Sequence, residues 1–246
     1  MRRPGIVLNQ EMVKRLIMMT IGCVFMGIAI TIYNKVQFGT DPFTSMVLGI
    51  AKHLPVSFGV TQLTVNVIII AIAFKFSRNL IGIGTFINVT CIGFIVDFTT
   101  WLYQFAFPDP EVLWVKSLLF LCAVIIHCFG GSIFFTAALG VGAYDVVAFV
   151  MNARTKINYR WCRMGTDFFC TAAGFLLGAT IGIGTVVTAF FMGPVIQWFT
   201  DHFSLPFLYG KDAAAEKILE EKLAREQKKE EQARKREEKK QAKKPV

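Results

Sequence analysis

Long apolar runs with at most one charged residue each divide the first 204 residues of the chain into candidate membrane spans. The first run, Leu16–Tyr33, has 18 residues, and a helix of that length is about 27 Å long, enough to cross the hydrocarbon core of a bilayer. The run Met164–Phe199 would be about 54 Å long as one helix, so we expect it to fold back at Gly178–Gly182 and to form two spans. The pattern therefore predicts six spans, and the second, third and fourth are Phe58–Phe74, Leu80–Phe107 and Val115–Val141.

Two shorter helices are predicted between these runs. Asp41 is a good N-cap and Pro42 suits the first helical position, so a helix should begin here and reach about His53. A second short helix should begin in the stretch Gly142–Asp145 and reach about Asn152. Both are too short to span a bilayer. We expect each to be a half-helix that dips into the membrane or a helix at its interface.

The chain contains an internal duplication. Ile81-Gly82-Ile83-Gly84-Thr85 recurs 100 residues later as Ile181-Gly182-Ile183-Gly184-Thr185. Upstream of each copy lies a second glycine motif, Phe38-Gly39-Thr40-Asp41-Pro42 in the first half and Val141-Gly142-Ala143-Tyr144-Asp145 in the second. Gly39 precedes Gly82 by 43 residues and Gly142 precedes Gly182 by 40. Two motifs in one order at nearly one spacing indicate a repeated structural unit.

The repeat and the runs together predict the fold class. Three spans in each half is an odd number, so the halves should lie upside down relative to each other. We predict an all-α polytopic membrane protein of six transmembrane helices, arranged as two inverted three-helix repeats, each with a short half-helix or interfacial helix. A model with eight spans in parallel repeats places the same numbers of basic residues on the two sides of the membrane, so charge does not decide between the models. Helix length favours six, because Val146–Met151 has only six apolar residues and cannot cross.

Composition and charge place the chain in the membrane. Of its residues 54% are hydrophobic and only 17% are charged, and 13 of the 26 Lys and Arg residues lie in residues 211–246. Such a chain is typical of a polytopic membrane protein, in which basic residues mark cytoplasmic loops rather than a nucleic-acid site. Basic residues before the first span predict a cytoplasmic N-terminus, and six spans return the C-terminus to that side. The predicted regions are a cytoplasmic N-terminus (1–15), two membrane repeats (16–107 and 111–204) and a charged cytoplasmic tail (205–246).

No pattern in the chain indicates catalysis. The six cysteines lie in or beside apolar runs without a metal-ligand spacing, so they are expected to pack as small apolar residues. His53, His127 and His202 share no ligand spacing, and His127 is expected to be a packed histidine. No catalytic triad, phosphate-binding loop or acid pair is found. We expect a protein that is not an enzyme and that needs no cofactor or metal.

Polar and glycine residues in the apolar runs form a candidate transport path. A Gly-x-Gly-Thr sequence at a helix start could leave backbone N–H groups open for an anion or a polar substrate group. The alternatives are close helix packing for the glycines, helix capping for Asp41 and Asp145, and an ion pair with Arg163 for Asp167. The candidate path residues are Gly39, Asp41, Gly82, Gly84, Thr85, Asn88, Asp97, Gly142, Asp145, Asp167, Gly182, Gly184 and Thr185.

Asp97 is the acidic residue placed deepest by the run lengths. It lies about two-thirds along the third span, and the position opposite it in the second half is Gln197. A carboxylate at membrane depth is costly unless it is paired, protonated or wetted. Asp97 is therefore a candidate for coupling transport to a proton or another cation, and the alternative is an ion pair with Arg78 or another base at a helix end.

The order of these motifs resembles the YczE/YyaS/YitT group of bacterial integral membrane proteins. The resemblance covers about residues 16–204 and rests on Gly39–Pro42, both Ile-Gly-Ile-Gly-Thr motifs, Asp97, the second glycine motif, Arg160 and Arg163 with Asp167, and Gly193-Pro194. It implies a multi-pass protein of a bacterial plasma membrane. The charged tail lies outside the part that resembles the family.

Two functions from different classes fit these observations. The first is a small-molecule or ion transporter or permease, with its site between the two repeats and the lipid bilayer as its surroundings. The second is a membrane scaffold or regulator that docks a cytoplasmic partner through the basic segment Arg154–Arg163 and the tail. Neither involves nucleic acid.

Overall fold

The computed structural model of the chain describes residues 10–76, 81–155, 157, 159–210, 212–216 and 218–220. Within these residues the secondary structure is entirely helical. Arg78, Asn79, Lys156 and the tail residues beyond 220, on which several sequence predictions depended, lie outside the described part. The helices are α1 (Gln10–Val36), α2 (Pro42–Ala51), α3 (Phe58–Phe76), α4 (Ile83–Ala106), α5 (Leu113–Ala137), α6 (Ala143–Arg154), α7 (Tyr159–Leu176), α8 (Ile183–Phe199), a π-helical turn (Thr200–Ser204) and α9 (Leu205–Tyr209). The chain divides into two compact units, residues 1–200 and 201–246.

Among the described residues, five helical segments are long and apolar enough to cross a membrane: α1, α3, α4, α5 and the segment Ile183–Tyr209. Helix α7 has the required length of 18 residues but carries Arg160, Arg163 and Asp167, so the prediction of six apolar spans holds for five of them. The predicted interruption of the run Met164–Phe199 is present at the expected place. Helix α7 ends at Leu176, α8 begins at Ile183, and Gly178 between them has a positive φ of 72°.

The outer surface of the helices is apolar. Phe105, Leu176 and Ile183 are each more than four-fifths exposed, and every long helix carries large apolar side chains that are more than one-third exposed. A soluble protein rarely exposes so much contiguous apolar surface, whereas a lipid-facing surface is apolar throughout. This is the surface of a membrane protein.

Both predicted short helices are present. Asp41 caps α2, since its Oδ1 accepts a hydrogen bond of 3.1 Å from the backbone N–H of Thr44, and Pro42 occupies the first turn as expected. Helix α2 ends at Ala51, two residues before the predicted end. In α6 the N-cap is Gly142, so Asp145 lies three residues inside the helix and does not cap it.

The two halves of the chain, α1–α4 and α5–α8, pack in matching ways. Helices α1 and α5 pack against each other. Helix α1 packs on α4 as α5 packs on α8. Helix α2 packs on α3 as α6 packs on α7. Across the halves, α2 on α7 is matched by α6 on α3. One difference remains, because α3 packs extensively on α4 whereas α7 and α8 barely touch.

Helices α1 and α5 run antiparallel through the centre of this arrangement. At one end Arg15 Nη1 donates a hydrogen bond of 3.0 Å to the carbonyl oxygen of Ala137. At the other end Lys35 Nζ lies 2.8 Å from Asp109 Oδ1, just before α5 begins. Between them Gly22 faces Gly130 so closely that a Cβ on Gly22 would lie 2.7 Å from the Gly130 carbonyl oxygen. Small residues let the two helices touch through their backbones.

Four glycine-containing segments hold the halves together, and we call them the glycine seam: residues 37–40, 82–85, 138–141 and 182–185. The N–H of Gly84 donates to the Leu139 carbonyl (3.0 Å), and the N–H of Gly184 donates to the Phe38 carbonyl (2.8 Å). Each half thus binds the start of the other half's last helix.

Backbone angles in the seam correct the alignment of the repeats. Gln37 and Gly39 have positive φ angles of 62° and 100°, and Ala138 and Gly140 have 52° and 148°. Gly39 therefore corresponds to Gly140. The sequence motif had suggested Gly142 instead. With this pairing the glycine precedes the Ile-Gly-Ile-Gly-Thr motif by nearly the same distance in both halves, and positions 101 residues apart match.

Candidate functional site

A cavity of about 430 Å³ lies between the two halves. Its wall is built from matching positions of the repeats. Before the Ile-Gly-Ile-Gly-Thr motifs, matching positions of the two halves are 101 residues apart, and both members of several such pairs line the cavity. After these motifs the separation is 100 residues. The matched pairs in its wall are Met26 and His127, Ile30 and Gly131, Asp41 and Gly142, Pro42 and Ala143, Phe43 and Tyr144, Thr44 and Asp145, Gln62 and Arg163, Asn66 and Asp167, Asn88 and Thr188, and Ile92 and Met192. The cavity is therefore lined by matching positions of both halves, and we call it the central cavity.

The two short helices meet at this cavity by their N-termini. Phe43 in the first turn of α2 stacks on Tyr144 in the first turn of α6, with ring centroids 5.0 Å apart and planes 20° apart. Both rings lie in the cavity wall. Backbone N–H groups at helix starts carry a partial positive charge. The first turns of both short helices thus line one cavity.

A charged cluster occupies the wall formed by the second half. Arg163 on α7 pairs with Asp145 on α6, and its Nε lies 3.4 Å from Asp167 Oδ1. Tyr144 donates a hydrogen bond of 2.5 Å from its hydroxyl to the same Asp167 oxygen. Burial raises the pKa of the Asp145 carboxyl, and the Arg163 guanidinium acts in the opposite direction. The ion pair predicted between Arg163 and Asp167 is confirmed.

The predicted fifth span began at Met164, which left Arg163 in the basic segment before it, but the structure places Arg163 inside a helix. It lies within α7, its guanidinium stands 4.3 Å from the centre of the Tyr144 ring, and about one-third of its side chain is exposed. The sequence could not distinguish loop from helix here, because the charges of the cluster make the start of α7 look like a loop. Arg154 alone remains as an exposed base of that segment among the side chains that the structure describes.

Three polar atoms in the cavity wall are buried without a hydrogen-bond partner: Asp41 Oδ2, Gln62 Oε1 and His127 Nδ1. Gln62 is 5% exposed. Among the described residues Asp41 makes no ion pair, although it is close enough to His127 to interact electrostatically. Buried polar groups in proteins are nearly always hydrogen-bonded. Three such atoms around one cavity point to a polar occupant.

The structure separates the predicted path residues into three groups. Five of them line the central cavity, seven belong to the glycine seam, and Asp97 lies elsewhere. The cavity residues are Asp41, Asn88, Gly142, Asp145 and Asp167. The seam residues are Gly39, Gly82, Gly84, Thr85, Gly182, Gly184 and Thr185.

The predicted anion site at the Gly-x-Gly-Thr motifs is not formed. The N–H groups of Gly84 and Gly184 donate to carbonyls of the opposite half, and Thr85 Oγ1 donates to the Val141 carbonyl at 2.7 Å. These helix starts are filled by protein backbone. The alternative considered for these glycines, close packing, is the one observed.

Asp97 does not reach the cavity. Its Oδ2 accepts a hydrogen bond of 3.0 Å from the N–H of Gly59 in the first turn of α3, where Gly59 and Gly93 let α3 and α4 approach closely. The carboxylate thus satisfies a donor at the positive end of a helix, which lowers the cost of burying it. Run lengths alone showed how deep Asp97 lies but not which face of α4 carries it.

Sequence reasoning did not include Gln62, Asn66, His127 and Arg163 in the path. A usable signal was present, because Gln62 and Asn66 on α3 match Arg163 and Asp167 on α7 at a separation of 101 residues. Both pairs have a spacing of four residues and so lie on one helix face. The incorrect pairing of Gly39 with Gly142 concealed this correspondence.

Comparisons with known proteins agree with the membrane surface. The chain is 25% identical over 201 residues to a protein of Bacillus subtilis (strain 168) described as "Uncharacterized membrane protein YczE", covering 81% of this chain and 89% of that relative. It is 26% identical over 161 residues to an uncharacterized protein of Haemophilus influenzae, covering 65% of this chain and 72% of that relative. No solved structure matches. Residues 13–201 match the model of a family of unknown function, DUF6198, so the chain belongs to this family of YczE-like membrane proteins.

Proposed function

We propose that this membrane protein is a transporter or permease for a small molecule or ion, and not an enzyme. The central cavity carries the proposal. It lies between the two halves and is lined by matching positions of both, it is lined by the N-termini of two short helices, and residues of its wall have polar atoms without partners. Broken or short helices that meet at the interface of two repeats are the usual setting of a transport site.

The proposal includes an inverted arrangement of the repeats. Helices α1 and α5 are antiparallel. The end of α1 binds the start of α8, and the end of α5 binds the start of α4. If α1 and α5 cross in opposite directions, α4 and α8 must begin on opposite sides. This supports halves related by an axis in the membrane plane, which is the symmetry that alternating access exploits.

Helix α7 is the sixth crossing in this proposal. Its charged residues Arg163 and Asp167 pair with each other and with Asp145 and Tyr144 on the cavity side. Charged residues in membrane helices usually face a cavity and pair in this way. The pairing explains how a helix without a sufficiently apolar window could cross the bilayer within the bundle.

We place the protein in a bacterial plasma membrane with both termini in the cytoplasm. Arg15 lies at the start of α1, and basic residues before a first span favour the cytoplasmic side. The partners of the protein in this proposal are the lipid bilayer and a small substrate, with no nucleic acid and no cofactor.

Transport by the purified full chain in liposomes tests the proposal. Liposomes should take up at least one member of a panel of small cations, neutral solutes and anions. Ala189 lines the cavity on α8, so Ala189→Phe should obstruct the site and abolish uptake. Val186 on the same helix is 56% exposed on the outer surface, and Val186→Phe should leave uptake unchanged. Equal uptake by both variants would contradict a path through the central cavity.

The scaffold function predicts a different result. In that case, removal of residues 211–246 should abolish the cellular activity while the membrane part stays folded. A transporter should retain uptake without this tail. Truncation therefore distinguishes the two functions in one comparison with the full chain.

A further inference from the structure

We propose that the central cavity binds a small protonated amine and that Asp41 and Gln62 hold its ammonium group. This inference rests on the proposed transport function and names the class of its substrate. The proposed binding residue is Asp41, which lines the cavity, whereas Asp97 does not.

The charges around the cavity carry the first step. Asp41, Asp145 and Asp167 are acidic, Arg163 is the one arginine or lysine in the described wall, and His127 is its one histidine. Arg163 pairs with Asp145 and Asp167, whereas Asp41 makes no ion pair among the described residues. The cavity thus has an excess of negative charge, and its unpaired part lies at Asp41. Asp41 is compensated on one side, where Oδ1 accepts from the Thr44 N–H at the start of α2. A cation at Oδ2 would remove the remaining cost of a carboxylate in such a site.

The unpartnered atoms carry the second step. Asp41 Oδ2 and Gln62 Oε1 are hydrogen-bond acceptors that lack donors, and Gln62 is almost completely buried. His127 Nδ1, also unpartnered, can accept in one tautomer. An ammonium group offers up to three N–H donors and a positive charge. It therefore satisfies both oxygens, which an anion or a purely apolar molecule cannot do.

The rest of the wall suits the carbon part of an amine. Ile92, Phe134 and Met192 are buried apolar residues of the wall, and Phe43 adds an aromatic ring near the start of α2. Aromatic rings also attract cations through their faces. A volume of about 430 Å³ lies within the range of pockets for small organic molecules. The combination favours an organic cation over a bare metal ion.

Asp41 offers a clean substitution. Asn is also a good N-cap, so Asp41→Asn should keep the bond to Thr44 and the start of α2 while it removes the charge. Asp97→Asn is the matched control, because it removes the same charge from a carboxylate that caps α3 away from the cavity. Gln62→Met is a second variant that removes the orphaned oxygen and keeps most of the volume.

The probe is n-butylamine, which is protonated at neutral pH like a lysine side chain. Its binding to the purified full chain is measured by titration calorimetry and by the rise in melting temperature, with butanol and butyrate as neutral and anionic counterparts. Of the three probes, only butylamine should bind, and it should bind equally to the wild type and to Asp97→Asn. Asp41→Asn should weaken binding about tenfold or more, the least expected for loss of a buried charge pair, and Gln62→Met should weaken it to a smaller extent.

The other outcomes overturn the inference. Equal binding of butylamine to wild type and Asp41→Asn would exclude Asp41 as the anchor. Stabilisation by sodium over potassium without any effect of butylamine would replace the amine by an inorganic cation. If none of the three probes binds but another solute enters the liposomes through the cavity, the amine class fails and the proposed transport function stands.

Discussion

The four carboxylates inside the apolar part of the chain are stabilised in four different ways. Asp97 accepts from the start of α3, Asp145 pairs with Arg163, and Asp167 accepts from Tyr144 as well as from Arg163. Asp41 caps α2 with one oxygen and leaves the other without a partner in the cavity. A carboxylate at membrane depth costs several kcal/mol unless it is compensated. Of the four, Asp41 is the one whose compensation is incomplete.

Substitutions at Asp97 should affect stability and not transport. Asp97→Ala removes the acceptor for the Gly59 N–H and should cost about 1 kcal/mol, the usual value of an N-cap bond. Asp97→Asn should cost less, because an amide oxygen can accept the same bond. Thermal melting of both purified variants measures the difference. If Asp97→Asn melts like the wild type and exchanges substrate but cannot accumulate it against a gradient, the assignment of Asp97 to coupling, made from its depth in the span, would be correct after all.

Glycine in the seam is required by conformation and by space. Gly39 and Gly140 have positive φ angles, and a Cβ on either would meet the start of the opposite half's last helix. Gly39→Ala and Gly140→Ala should each destabilise the protein by about 1–3 kcal/mol, the cost of strained backbone at one residue. Gly165 on α7 is a control, because a Cβ there would meet nothing within 4 Å. Melting temperatures that fall equally in all three variants would contradict this account.

At the scale of the elements, α7 shows how pairing replaces apolarity. Its partners Asp145 and Tyr144 come from α6, so two helices that are individually unsuited to a bilayer satisfy each other. Helix α3 occupies the matching position in the first half, and there the polar residues are the neutral Gln62 and Asn66. Both halves therefore have polar residues at these positions, but only in the second half are they charged.

Removal of Arg163 should be strongly destabilising. Arg163→Leu leaves Asp145 and Asp167 without their cation, and loss of one partner of a buried pair costs about 3–5 kcal/mol. The combination of Arg163→Leu with Asp145→Asn and Asp167→Asn should recover most of this loss, since no buried charge then remains unpaired. The yield of monodisperse protein and its melting temperature measure both effects. Arg154→Leu, at an exposed position at the end of α6, is the control and should cost less than about 1 kcal/mol.

At the scale of the whole molecule, the matching packing of the halves leads to a testable topology. The six-span arrangement places the segment after α2 and the segment between α4 and α5 outside the cell. It places the end of α6 inside. Eight spans with the same N-terminal orientation would place all three segments inside. Surface labelling can therefore decide between the two arrangements without knowledge of the substrate.

Single cysteines introduced into a cysteine-free chain provide this test. Leu54→Cys and Glu111→Cys are at exposed positions after α2 and before α5, and Thr155→Cys is at an exposed position after α6. In intact cells an impermeant thiol reagent should modify the first two and spare the third. Permeabilised cells should allow modification of all three. Protection of Leu54→Cys and Glu111→Cys in intact cells would favour eight spans.

Most elements of the fold could be predicted, because run length and helix signals are local. Asp41 with Pro42 marks the start of α2, and Gly178–Gly182 marks the break before α8. The alignment of the halves was harder. Gly142 resembles Gly39 in its neighbours, but the positive φ that defines the corner belongs to Gly140. A backbone angle is not visible in a motif of common residues.

The candidate site was predictable only in part. The acids Asp41, Asp145 and Asp167 were identified because charge in an apolar run is rare, and all three line the cavity. The glycines of the seam were assigned to substrate although they bind the opposite half, because a helix start with free donors has the same sequence whether backbone or ligand fills it. Asp97 was assigned to the path because the run lengths gave its depth in the span but not the face of α4 on which it lies.

The sequence alone determines that this chain is a helical membrane protein with a duplicated plan, because hydropathy, helix length and internal repetition are properties of the chain itself. Tertiary structure decides which face of each helix meets the other half. That choice depends on how α1 and α5 pack, how the glycine seam exchanges hydrogen bonds and which acids find Arg163. These interactions join residues up to 148 positions apart, and no local pattern specifies them. They leave Asp41, Gln62 and His127 around one cavity with polar atoms still to be satisfied.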